Sequence, residues 1–192
     1  MNTTRMEAFT DGVLAIIITI MVLELKVPHG TGLEVLRPLL PVLASYVLSF
    51  VYLGIYWNNH HHMLHACRRV TGSVLWANLH LLFWLSLVPF ATGWMGENHF
   101  ATIPAAAYGV VLLMAGVAYW ILELRIIAAE GETSLVKRAV GADWKAKSSL
   151  VLYALAIGLA FVSPWISMAI YAGVAIMWFV PDRRLERVLS ET

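Results

Sequence analysis

A chain of 192 residues that is 60% hydrophobic and only 13% charged departs far from the roughly half-apolar, quarter-charged balance of soluble domains, and reads as an integral membrane protein. Its formal net charge of +1 gives no reason to expect a nucleic-acid partner. The single cysteine, Cys67, excludes a disulfide within the chain.

The first apolar segment spans Met6 to Leu25 within the stretch RMEAFTDGVLAIIITIMVLELK. One arginine precedes an apolar run too long for a signal-peptide core, and no small-residue cleavage pattern follows, so this helix is expected to be retained. Arg5, Glu7 and Asp11 crowd its entrance, whereas Val13 to Leu23 carries no charge. At about 100° per residue, Arg5, Phe9, Gly12, Ile16, Thr19, Ile20 and Leu23 fall on one stripe, with Glu7 and Asp11 on the opposite side. Apolar residues surround the second half of the helix. Periodicity alone therefore leaves open whether the stripe meets lipid, protein or a pore.

Five further apolar segments follow: Pro38 to Met63, Val74 to Trp94, Ile103 to Ile127, Ser148 to Val162 and Trp165 to Val180. Each lies near the roughly 20 residues that a bilayer core requires. Ser163 and Pro164 divide the last two, because proline cannot continue the preceding helix without losing a hydrogen bond. A tight hairpin is expected there, a single kinked helix being the other reading. The one extended polar stretch, Ala128 to Lys147, has room for a short interfacial helix through Leu135, Val136, Val140 and Trp144. The expected fold is all-α, a single six-helix unit over residues 1–192.

Loop charges set the topology, since Lys and Arg accumulate on the cytoplasmic side. With the N-terminus inside, the inner segments hold Arg5, Arg68, Arg69, Arg125, Lys137, Arg138, Lys145, Lys147, Arg183, Arg184 and Arg187, and only Lys26 and Arg37 lie outside. Both termini are therefore expected to be cytoplasmic, with six passes through a cell membrane. Trp94, Trp144, Trp165 and Trp178 fall near the span ends, where amphipathic rings favour the interface.

This topology brings distant polar residues to one depth. Asp11 lies roughly 9 Å inside the inner end of its helix, and His60, His61, Asn78 and His80 reach a similar level in the next two spans. An intramembrane carboxylate is costly unless it faces the bundle and finds partners. Asp11 is accordingly expected to point away from the stripe, toward Arg5, Trp57, His60 or Asn78. Trp57, His60, His61 and Leu64 share one helical face and form the receiving side. A structural hydrogen-bond network is expected here in preference to catalysis. His61 and His65 stand at the i, i+4 spacing that can bind zinc, yet no glutamate lies between them and no cysteine or carboxylate cluster lies nearby in sequence. No metal site and no cofactor are expected. Glu24 and Glu123 are expected to be solvated or paired with Lys26 or Arg125, with attraction of cations to the outer mouth a second role for Glu24.

These segments, taken together and in order, resemble the bacterial members of the transmembrane protein 175 family of potassium channels. The first helix is similar to the family's arginine four residues before Phe-Ser-Asp-Gly, with Thr10 in place of the serine. YWNNHHHML resembles its Trp-x-x-His-His segment, and LWANLHLLFWLSLVPFATGWMGE its third helix, with an asparagine and a terminal Pro-Phe. The resemblance covers Arg5 to Glu97. It implies a homotetramer of six-helix subunits, with four copies of the first helix around a central potassium-permeable pore. No Thr-Val-Gly-Tyr-Gly loop is present, so a carbonyl selectivity filter is not available. Selectivity would come instead from side-chain layers at Ile16, Thr19, Ile20 and Leu23, the stripe already defined by helical angle. Ile16 would form the tightest ring and Thr19 the polar layer, giving moderate preference for potassium. Arg5 and Phe9 continue the stripe at the inner mouth, with Arg5 expected to turn to a carboxylate. Arg5, Phe9, Asp11, Trp57, His60, His61 and Asn78 would form a structural or gating network. The competing class is a histidine-rich membrane transporter or metal-dependent membrane enzyme. No phosphate-cradling loop, nucleophile elbow or paired catalytic carboxylates support a conventional enzyme.

Overall fold

A computed structural model of the chain describes residues 3–140 and 144–179. All regular structure among the described residues is helical. In hydrocarbon every backbone polar group must be satisfied within the protein, and a helix does this within one segment. Helix α1 spans Thr3–Leu23. A 3-10 helix, Leu33–Leu39, runs directly into α2, Leu40–Ala66. Then come α3 at Gly72–Ser86, α4 at Val88–Glu97 and α5 at Thr102–Glu130. The short α6, Leu135–Val140, precedes α7 at Trp144–Leu159 and α8 at Pro164–Phe179.

Among the described residues, four stretches are long and apolar enough to cross a membrane: Thr3–Leu23, Leu33–Ala66, Gly72–Glu97 and Thr102–Glu130. The last two expected spans correspond to α7 and α8, which have 16 described residues each. Arg183, Arg184 and Arg187, which weighed in the charge count, lie outside the described residues.

The third apolar stretch is not one rod. Pro89 has no amide hydrogen for the Leu85 carbonyl, and its ring would collide with that carbonyl in a straight helix. The ladder accordingly breaks at Leu87, whose amide bonds Trp84 O at 3.2 Å, and restarts with Ala91 N to Leu87 O at 3.1 Å. Helix α4 packs against α2. Gly96 makes that approach close, since a Cβ there would lie 2.8 Å from the Val42 Cα.

Ser163 and Pro164 do mark a hairpin: α7 ends at Leu159, α8 starts at Pro164, and the two helices pack together. The Ser167 hydroxyl donates to Ala156 O at 2.6 Å across the pair. Within the polar stretch, Leu135 and Val136 of α6 are buried, while Trp144 belongs to α7 and is exposed. Helix α5 extends past the expected end at Ile127, and Glu123, expected to be solvated or paired with Lys26 or Arg125, is buried two turns inside it.

Helix α5 packs along α3, α4, α7 and α8, and α2 along α4 and α8. Helix α1 lies against α2, α3 and α4. Polar side chains in this interior pair with one another, as lipid-embedded helices require. The Ser49 hydroxyl lies 2.7 Å from that of Thr92 and 3.0 Å from that of Tyr108. Tyr52 donates to Tyr171 O at 2.7 Å, and Tyr171 to Ala105 O at 3.1 Å.

Candidate functional site

Helix α1 has two contrasting faces. Met6, Thr10, Leu14, Ile17 and Met21, spaced by three or four residues, are buried against the neighbouring helices. Arg5, Phe9, Gly12, Ile16, Thr19, Ile20 and Leu23 are all exposed in the single chain, Ile16 at 61% and Leu23 at 76%. The stripe defined by angle is thus the side that the subunit's own helices leave uncovered. Asp11 and Glu7 lie between the two faces and are half-buried.

Thr19 carries the polar atom in the middle of the exposed stripe. Its hydroxyl donates to Ala15 O at 2.8 Å, the i−4 carbonyl of the same helix. That bond uses the hydrogen and leaves the oxygen's lone pairs free to accept. The side chain is therefore presented outward as an acceptor.

The rotation of α1 is set by hydrogen bonds to α2 and α3. Trp57 donates its indole N–H to Asp11 Oδ1 at 3.0 Å. One turn along each helix, His61 Nδ1 lies 2.7 Å from Glu7 Oε1. A second, fully buried chain joins three helices: Asn78 Nδ2 donates to Thr10 Oγ1 at 2.9 Å, and His60 Nε2 lies 2.8 Å from Asn78 Oδ1. Because the Asn78 nitrogen serves as donor to Thr10, its oxygen accepts, so His60 donates from Nε2. Buried groups satisfied in this way hold a unique arrangement, since unpairing any one leaves an orphan in low dielectric.

Asp11, Trp57, His60, His61 and Asn78 are thus brought together at the interface of α1, α2 and α3. Arg5 and Phe9 are not. Both stay on the exposed side, and Arg5 forms no ion pair or hydrogen bond among the described residues, in contrast to its expected turn toward a carboxylate; it lines a groove with Phe9, Leu75 and Leu79. His80, at the same level, accepts from Trp84 on its own helix at 3.0 Å. Two participants lay outside the expected network, Glu7 and Thr10. The signal was available: Glu7 and Asp11 are spaced i, i+4, as are Trp57 and His61, and antiparallel helices can match two such pairs rung for rung.

At the other end of α1, Lys26 pairs with Glu97 at 2.9 Å and not with Glu24. Partial burial, and then the charge of Glu97, push the Glu24 carboxyl above its ordinary value. Glu24, Lys26 and Glu97 line a cavity of about 570 Å³ together with Trp94 and Phe90.

A family model described as endosomal/lysosomal potassium channel TMEM175 covers residues 5–89. A potassium channel of Chryseobacterium sp. (strain P1-3) is 53% identical over 191 residues, covering 100% of both chains. One from Streptomyces collinus is 30% identical over 91% of this chain and 90% of its own. A solved structure, that of a lysosomal potassium-selective channel TMEM175 homolog from Chamaesiphon minutus, superposes with a TM-score of 0.81 at 29% identity, covering 94% of this chain and 97% of that one. Fold and relatives together define the class, a helical membrane protein of a potassium-channel family. More particularly, the chain belongs to the TMEM175 family of potassium channels.

Proposed function

We propose that the chain conducts potassium as a homotetramer of six-span subunits, with four copies of α1 around a central path and both termini on the cytoplasmic side of a prokaryotic plasma membrane. Residues 1–192 form one channel domain in this reading. The observation that carries it is the uncovered stripe of α1. One face of the helix is tied down by two hydrogen-bonded systems while Ile16, Thr19, Ile20 and Leu23 are left for another surface to cover.

Rings of Ile16, Ile20 and Leu23 would close a narrow path by dewetting, because an ion passing them sheds water and meets no replacing oxygen. Ile16 forms the tightest ring. Four Thr19 oxygens, with their hydrogens turned back to Ala15, supply part of a lost hydration shell. This favours the more weakly hydrated potassium over sodium by a moderate factor. Asp11, Trp57, His60, His61 and Asn78 hold α1 at the required rotation, and Arg5 and Phe9 stand at the inner mouth.

The test is cation flux in proteoliposomes and single-channel recording in planar bilayers. The Ile16→Asn variant should pass potassium with a raised open fraction, since a polar ring stays wet. Currents identical to those of the unaltered protein would remove Ile16 from the path.

A further inference from the structure

Glu7 of α1 and His61 and His65 of α2 bring a carboxylate oxygen and two imidazole nitrogens within 4.8 Å of one another. Nothing in the gating or conduction argument uses His65. We propose that these three side chains form a binding site for a borderline transition-metal ion, with zinc the best match.

The donor set argues for that class. Two imidazoles and one carboxylate suit zinc, and magnesium or calcium would require a shell of oxygens that is not assembled here. Zinc bonds of about 2.0–2.2 Å in a tetrahedral shell hold donors roughly 3.4 Å apart. His61 and Glu7 are already at 2.7 Å, and the His61 and His65 rings stand 4.9 Å apart centre to centre. Side-chain rotation at exposed His65 closes the remaining gap. Three protein ligands leave a fourth position for water.

The surroundings support a formed site. Trp57 stacks on His61 with ring centres 6.1 Å apart and planes at 24°, and Trp57 is itself fixed by Asp11. The neighbouring indole limits how far the His61 ring can swing. Access is open as well, because His65 is exposed and the His61 side chain keeps 42% of its surface free, while Glu7 keeps 21%. Glu7 and His61 already share a hydrogen bond that joins α1 to α2; a metal takes the place of the shared proton, His61 then carrying its hydrogen on Nε2, and adds His65, so the first turns of α1 become cross-linked to the last turns of α2.

Zinc binding to purified protein without a histidine tag, measured by equilibrium dialysis, tests the proposal. One ion per chain is expected, with affinity reduced at least tenfold by His65→Ala and by Glu7→Gln, and unchanged by His62→Ala or by excess magnesium. Zinc-edge X-ray absorption should report two imidazoles and oxygen ligands. Because His65 is exposed and outside the hydrogen-bond network, its variant keeps the fold, which size-exclusion elution verifies. The absence of saturable binding, or full binding by His65→Ala, overturns the site. Binding is read directly, independent of any current.

Discussion

The indole nitrogen of Trp57 donates to Oδ1 of Asp11 at 3.0 Å, tying the middle of α2 to the charged entrance of α1. Asp11 is a carboxylate in a lipid-spanning helix, and this bond gives it a partner on the packed side. The stripe is turned outward as a geometric consequence.

Asp11→Ala removes the acceptor and leaves the Trp57 N–H unpartnered. Polar contacts between membrane helices contribute about 0.6 kcal/mol on average and up to about 2 kcal/mol. A lowered thermal midpoint is expected for Asp11→Ala in detergent, with a smaller loss for Asp11→Asn, which keeps an acceptor oxygen. Equal midpoints for the two variants would show that the bond does not hold α1.

The relay from His60 through Asn78 to Thr10 is buried at every member. Replacing Asn78 by leucine orphans two groups at once, at a cost of about 1–3 kcal/mol each. Asn78→Leu should therefore destabilise the folded protein more than Thr10→Val, which orphans one donor, and Thr10→Ser should be close to neutral. Urea unfolding followed by tryptophan fluorescence gives the ranking.

Thr19→Val keeps the shape of the side chain and deletes the oxygen. In the proposed pore the potassium-to-sodium permeability ratio falls toward unity while conduction persists, read as a shift of reversal potential under bi-ionic conditions. Thr19→Ser retains the acceptor and should keep most of the selectivity. An unaltered ratio in Thr19→Val places the polar layer elsewhere.

Cys67 caps the end of α2 and is buried, and that burial raises its thiol above the ordinary value. The thiolate is the reactive species. Labelling by iodoacetamide at pH 8 should be at least tenfold slower in the folded protein than in denaturant, and should accelerate as pH rises beyond 9. Rapid labelling at pH 8 in the folded state would show that the α2–α3 connection opens readily.

Much of this architecture is legible in the chain because lipid imposes simple rules. Apolar runs locate α1, α2 and α5, and Pro164 marks the final hairpin for the same reason that Pro89 breaks the third span. Pro164 is legible as a boundary because Ser163 precedes it, whereas the apolar run continues through Pro89 to Trp94 and hydrophobicity does not register a break in the hydrogen-bond ladder. The burial of Glu123 is not legible in the same way, because α5 continues past the apolar run to Glu130 and sets that side chain two turns inside the helix. The stripe of α1 was readable from angle alone. The Glu7 contact takes a further step than angle, the matching of the Glu7 and Asp11 pair to the Trp57 and His61 pair across two antiparallel rods, because its histidine lies 54 residues away in sequence.

The helices packed along α1 are α2, α3 and α4, so the whole cradle of the opening helix is encoded before residue 98. The matched family segment, residues 5–89, falls within the same territory. The α7–α8 hairpin braces α2 and α5 instead. A change within that last hairpin therefore reaches the opening helix through its neighbour α2.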